Sequence, residues 1–386
     1  MTTRCSVLLA AGVALIALAP DAHAQLLASV NDNKVVLVNG SVKTVPNAPP
    51  DTLTVVDLGA RPPKVLAEIP AGGSVVGPPL SVALTPDESL ALVTVNQKID
   101  PADPTKQTAD NRLLVVDLTL TPPAVTATLE TGKAPAGVSI NRRGTLALVA
   151  NREDGTVSVF TIQGKTVAPA GRVTIGDAKS GVSHVTISPD GKLALASRDG
   201  DDRISVLAID GTKVEYTKRD MNAGLRPYGI DIAPSGTFAV VANIGRGQGD
   251  NDTISVIDLQ ASPPRVVETV TVGQTPEGIK VSPDSTLVAV QVMNGSNKAK
   301  ESPFFSDHGK LVLFRVNGTA LTKLAEAPVG HWSQGVAFSA DSRMIVVGNM
   351  VEQELWVFEW TGSTLRDTGQ RIKVGGGSAA IRTADK

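Results

Sequence analysis

Cysteine is almost missing from this chain. Cys5 is the single one in 386 residues, and it lies ahead of an apolar stretch from Ser6 to Ala19. Arg4 precedes that stretch, Pro20 breaks it, and Ala22-His23-Ala24 follows with the small-x-small pattern of a cleavage site. Residues 1–24 therefore read as a signal peptide, with Gln25 as the mature N-terminus and a periplasmic or secreted destination. The apolar stretch is shorter than the roughly 20 residues that span a bilayer. No other run is apolar enough, so no transmembrane segment is expected after cleavage. Loss of Cys5 with the leader excludes disulfides, Cys-ligated zinc, iron–sulfur clusters, covalent c-type haem and cysteine nucleophiles.

Other scarcities narrow the function further. The formal charge is −2 and only 19% of residues are charged. Neither nucleic acid nor an anionic membrane surface is favoured as a partner. Aromatics make up 3% of the chain, which leaves no stacking platform for a quinone. His184, His308 and His331 are too dispersed for a zinc site. The acidic stretches Asp199-Gly200-Asp201-Asp202 and Asp250-Asn251-Asp252 lack EF-hand spacing and read as solvated turns. No glycine-rich phosphate loop or Gly-x-Ser-x-Gly elbow is present. No metal and no cofactor are expected.

Glycine (36) and proline (25) are plentiful, and they punctuate a repeat. A turn of Ser-Pro-Asp-Gly type appears at Thr85-Pro86-Asp87, Asn141 to Gly144, Ser188 to Gly191, Ala233 to Gly236, Ser282 to Ser285 and Ser339 to Ser342. Successive anchors are 56, 47, 45, 49 and 57 residues apart, the period of four-stranded propeller blades. A short apolar strand precedes each anchor and two follow it. In Ile204 to Ile209 both faces are largely apolar, as a sheet packed between two other sheets requires. A polar outermost strand completes several units, among them Val125 to Leu129 and Val266 to Val272.

Seven third strands recur, from Leu53–Leu58 to Leu355–Trp360, but only six full anchors. The two ends account for the difference. Ala379 to Asp385 mimics Gly335 to Asp341 and is predicted to be an innermost strand without partners of its own. Val35–Val38, Leu53–Leu58 and Val65–Ile69 are then expected to complete its blade. In the alternative, Leu26–Val30 serves as the inner strand and the C-terminal tail is an ornament. The expected fold is an all-β, seven-bladed β-propeller, one domain over residues 25–386.

At these anchors the chain resembles YVTN-repeat, lactonase-like propellers. The matching residues are Ala150-Asn151 with Val157-Ser158-Val159, Ala242-Asn243 with Ile254-Ser255-Val256-Ile257-Asp258, and Pro276-Glu277-Gly278-Ile279. The resemblance covers nearly all of the mature chain. It implies fold more than function, since such propellers serve as enzymes, binding modules and surface proteins.

Long insertions gather on one face, at Asn39–Asp51, Asn96–Asn111 and Asn294–Lys310, with Phe304-Phe305 in the last. The opposite face carries short connections such as Asp57-Leu58 to Pro62-Pro63. Elaborated loops on a rigid scaffold are where ligands bind. The mouth on that face is expected to carry His184, Arg198, Tyr228, Glu277, His331 and Gln334 as a ligand-binding set. Three functions compete. The first is a non-enzymatic exported binding or scaffold module, with a small-molecule or protein partner on the loop face. The second, implied by the resemblance, is a lactonase-like hydrolase with Glu277, Arg198 and His184 around one pocket. The third is an accessory to periplasmic redox enzymes. A closed ring needs no partner for stability, so a monomer is expected.

Overall fold

A computed structural model describes residues 25–386, and the expected leader, residues 1–24, lies outside them. All thirty regular elements of the described residues are strands. Twenty-eight form seven four-stranded antiparallel sheets and two form a separate hairpin. Blade one is built from both ends of the chain. From the axis outward its strands are Gly377–Thr383, Leu26–Asp32, Thr52–Asp57 and Lys64–Pro70. Blades two to seven follow in order, opening at Val82, Pro135, Val182, Pro227, Pro276 and Ser333. Inner and second strands are buried along nearly their whole length, because each sheet is covered by its neighbours on both sides. Outer strands such as Arg265–Gly273 alternate between exposed and half-buried residues.

The expected closure by the C-terminal tail is what the structure shows, with one correction. The second strand of blade one is Leu26–Asp32, which pairs with Gly377–Thr383 on one side and Thr52–Asp57 on the other. Leu26–Val30 is therefore not an inner strand that displaces the tail. Val35–Val38 is not a blade strand either. It pairs with Ser41–Thr44 in an accessory hairpin on the loop face. The base of that hairpin is fixed by buried Lys34, whose ammonium donates to Asp32, Asp51 and the Gly73 carbonyl. Two outer strands were not anticipated from sequence: Lys213–Met221 in blade four, which is largely polar, and Ala320–Val329 in blade six. The insertion at 96–111 is mostly strand, since the hairpin of blade two continues to the pair Ile99–Gln107.

The repeated residues have structural duties. In the Ser188–Gly191 turn, the Asp190 carboxylate accepts from Ser188 Oγ at 2.6 Å and from the Lys192 amide, while Leu193 N donates to Ser188 Oγ. The same bonds recur at Ser282 to Asp284 and Ser339 to Asp341. The asparagine that ends a second strand is a latch. Asn243 Nδ2 donates to the Ala223 carbonyl, Thr253 Oγ1 and Ser255 Oγ, tying the third strand to the connection entering the blade. Asn151 bonds Thr156 and Ser158 and accepts from Gly132 N. Ala-Asn followed by Ser-Val is the sequence image of this latch.

Candidate functional site at the loop-face mouth

Inner strands enter the ring as Pro-x-Gly or a variant of it: Pro135-Ala136-Gly137, Val182-Ser183-His184, Pro227-Tyr228-Gly229, Pro276-Glu277-Gly278 and Ser333-Gln334-Gly335. The pairing register slips at this point in all five. A bulge of this kind re-aims a side chain. Here it gathers the x residues of neighbouring blades around the mouth.

Three of the six expected residues meet there. Gln334 Nε2 donates to Glu277 Oε2 at 2.7 Å. Tyr228 lies between them and the cationic side of the mouth, with the Arg152 guanidinium 5.6 Å from its ring centre. Arg152 bonds Ser183 Oγ and pairs with Asp199 Oδ1 at 2.7 Å. Arg226 pairs with Asp199 Oδ2 at 2.8 Å, and Ser183 Oγ also donates to Asp199. Asp199 is thus shared by two arginines. The Gly77-Pro78-Pro79-Leu80 connector is buried over the opposite arc, where an added Cβ at Gly77 would touch Ala136 and one at Gly335 would touch Pro79. Arg226, the most exposed member of the cluster, marks the open side.

Burial sets the protonation states. It pushes the Glu277 carboxyl up to about 7, against the opposing pull of the Gln334 amide and of Arg226 and Arg152. It also holds the Tyr228 phenol protonated far above its usual range. Burial acts on Asp199 in the same sense, but Arg152, Ser183 and Arg226 together keep that carboxyl below its usual range. Glu277 is neutral in both folded and unfolded chains well below pH 4.5, and ionised in both well above 7. Its contribution to stability is therefore present at acid pH and lost as the pH rises through 7. Moving a carboxyl from 4.5 to about 7 corresponds to about 3 kcal/mol. Glu277→Gln is expected to raise stability over the parent at pH 8 by up to that amount and to make no difference near pH 4. Denaturant melts at the two pH values check this, and an equal effect at both would contradict it.

The other three expected residues sit elsewhere. Arg198 occupies the latch position of blade four, where blades one, three, five and seven place asparagine. It bonds the Ile175 carbonyl at 2.7 Å, Ser205, Asp220 and Asp201, all away from the mouth. His184 stands where blades three, five, six and seven have the inner-strand glycine. Its ring is fully buried at the waist of the channel, and Nδ1 donates to the Ile230 carbonyl at 2.9 Å. Burial, with Arg382 nearby, lowers its pKa to about 3, so the imidazole is neutral. His331 lies under the accessory hairpin, bonded to Glu352 at 2.7 Å. The hydrolase arrangement of Glu277, Arg198 and His184 around one pocket is not what the fold builds. The cations beside Glu277 are Arg152 and Arg226. Arg152 is visible in sequence as the neighbour of the Asn151 latch. Arg226 is betrayed only by standing directly before Pro227.

At the other end of the channel the tail forms a buried ionic plug. Lys280 pairs with Asp231 at 3.1 Å and Asp385 at 2.7 Å, and Arg382 pairs with Asp385 at 2.7 Å. A cavity of about 90 Å³ beside the plug is lined by Thr186, Asp231, Lys280 and Asp385 among others.

Comparison with known proteins agrees with this architecture. Residues 163–248 match the family model described as "Lactonase, 7-bladed beta-propeller", and residues 231–359 match a choice-of-anchor I domain. No curated protein matched the sequence. A periplasmic gluconolactonase of Pseudomonas aeruginosa superposes with a TM-score of 0.66 at 18% identity, covering 94% of this chain and 99% of that one. A functionally unknown protein from Desulfotomaculum acetoxidans gives 0.68 at 17% identity, over 93% and 99%. Hydrazine synthase of Kuenenia stuttgartiensis gives 0.61 at 18% identity, over 81% and 91%. The chain is similar to lactonase-like seven-bladed propellers, and at these identities the likeness is one of fold.

Proposed function

We propose that this chain is an exported propeller that binds a small hydroxylated acid, or the lactone of one, at the loop-face mouth. The observation that carries this reading is hydrogen-bonding capacity left unfilled beside two arginines. Gln334 Oε1 is buried without a partner, and Glu277 accepts only through Oε2 among the described residues. Buried polar groups are rarely left in that state. A polyhydroxylated ligand supplies the missing donors, and its carboxylate faces Arg226 and Arg152. The Arg4-to-Ala24 leader supports export, as does the likeness to a protein described as periplasmic.

Calorimetric titration of residues 25–386 with gluconate tests the reading. Saturable binding is expected, weakened about tenfold or more in Arg226→Gln and Gln334→Leu. Absence of heat and of any rise in melting temperature with gluconate and gluconolactone would overturn it.

Hydrolysis is a second reading, favoured by the Glu277 carboxyl lying near 7, where a general base works best. Glu277 would take a proton from water as the oxygen adds to the lactone carbonyl. It would return that proton to the departing ring oxygen, leaving a hydroxy acid. Arg152 and Arg226 would face the developing oxyanion. Opening of gluconolactone faster than its spontaneous rate, reduced about 10²–10⁴-fold in Glu277→Gln, is the expected result. A rate equal to the spontaneous one, with binding intact, leaves the binding module alone.

A further inference from the structure

Three departures from the repeat meet at one place on the loop face, around a hollow lined by none of the mouth residues. The first is the accessory hairpin, Val35–Val38 with Ser41–Thr44. The second is the inserted segment of blade six, which carries Phe304-Phe305. The third is His331-Trp332, where blade seven breaks the Pro-x-Gly rule. The hairpin tip rests on the insertion so closely that a Cβ at Gly40 would overlap the Ala299 backbone. Trp332, Met293, Met350, Val35 and Ala379 form a small apolar cluster beneath, with Leu37 packed against it.

Between hairpin and insertion lies a cavity of about 320 Å³. Leu37, Phe305 and Val351 give it apolar walls, and Lys298, Lys300 and His331 stand on its rim. Neither lysine has a carboxylate within 4.0 Å among the described residues. Lys298 donates only to the Gly247 carbonyl, at 2.7 Å. His331 is held by Glu352 and lies 3.7 Å from Asp307, which is largely exposed. Unneutralised cations beside an apolar hollow match a ligand with one anionic end and one apolar body.

We propose that this cavity is a binding site for a small amphipathic monoanion, a medium-chain or aryl carboxylate, separate from the mouth. Its apolar part lies against Leu37, Phe305 and Val351. Its carboxylate lies between Lys298 and Lys300. Each of the three irregular segments contributes to the wall, which gives one reason for all three to interrupt an otherwise regular ring.

The probe is 8-anilinonaphthalene-1-sulfonate, followed by fluorescence and displaced with octanoate. One saturable site is expected, fully displaceable by octanoate and indifferent to gluconate. Lys300→Glu and, separately, Val351→Asp should each weaken the probe about tenfold or more. Both side chains are exposed, so neither change threatens the fold. Non-saturating fluorescence, unaltered affinity in both variants, or displacement by gluconate would each overturn the proposal. Because gluconate reports on the mouth alone, failure here leaves the mouth reading standing, and failure there leaves this one.

Discussion

Removal of residues 377–386 is expected to abolish cooperative folding. The tail supplies the innermost strand of blade one, in register with Leu26–Asp32 from Leu27–Thr383 to Asp32–Gly377. Ala379, Ala380 and Ile381 are at most 2% exposed, and each belongs to a different apolar cluster. Loss of the strand strips the ladder from Leu26–Asp32 and opens the facing sides of blades two and seven. It also removes Arg382 and Asp385, leaving buried Asp231 with Lys280 as its sole ionic partner. Loss of the buried isoleucine alone costs about 2–5 kcal/mol, and each buried ladder group left without its partner adds about 1–3. Their sum reaches the 5–15 kcal/mol by which a folded domain typically exceeds its unfolded chain. The truncated protein should therefore show no sharp thermal transition. Ile381→Ala provides a graded version, with a lowered but still cooperative melt. A sharp transition close to that of the full chain after truncation would show that the ring closes without the tail.

What was legible in sequence follows from what the repeat makes obligatory. Turns need Gly or Asp at fixed places, and inner strands need apolar residues on both faces. Seven blades and the C-terminal closure were therefore readable. Blade one was misread because Val35–Val38 is a run of strong strand formers that does make a strand, in the accessory hairpin and not in the blade. The better signal was Asn31, which stands near the end of Leu26–Asp32 opposite Thr52, as Asn151 stands opposite Thr156, and which bonds Thr52 and Thr54 as a latch should. Arg198 and His184 were misplaced for a related reason. Each looked like a functional departure from the repeat, yet each fills a repeat position with a bulkier residue doing structural work. Arg198 serves as the latch and His184 fills the space of a glycine. Glu277, Tyr228 and Gln334 come together because the x of Pro-x-Gly is free of both duties. Arg226 stands at the left-handed position directly before an inner strand, which Ala134, Gly181, Thr275 and Trp332 fill in other blades, so the repeat fixes its backbone but not its side chain.

Substitution of the inner-strand glycines tests this reading of the channel waist. Neither Gly137 nor Gly229 has a positive φ, so alanine is tolerated by the backbone itself and any cost is one of packing. A Cβ on Gly137 would collide with His184 Cδ2 and lie 2.8 Å from Cγ and 2.9 Å from Cα. A Cβ on Gly229 would overlap the Glu277 carbonyl oxygen, which is backbone and cannot rotate away. Overpacking a close-packed core costs about 1–3 kcal/mol, occasionally more. Gly137→Ala is expected at the upper end of that range, since it also pulls His184 from the Ile230 carbonyl. Gly229→Ala is expected above it. The two should part company in a double-mutant cycle. In the Gly137→Ala background, His184→Ala removes the colliding ring, so the double variant should be more stable than the sum of single effects by about 1–3 kcal/mol. In the Gly229→Ala background, His184→Ala should add its own cost and recover nothing. Denaturant midpoints of the five variants decide the matter. Strict additivity between Gly137→Ala and His184→Ala would mean that the imidazole does not fill the waist. Rescue of Gly229→Ala by the same change would mean that the inner strands shift as one body rather than meeting pair by pair.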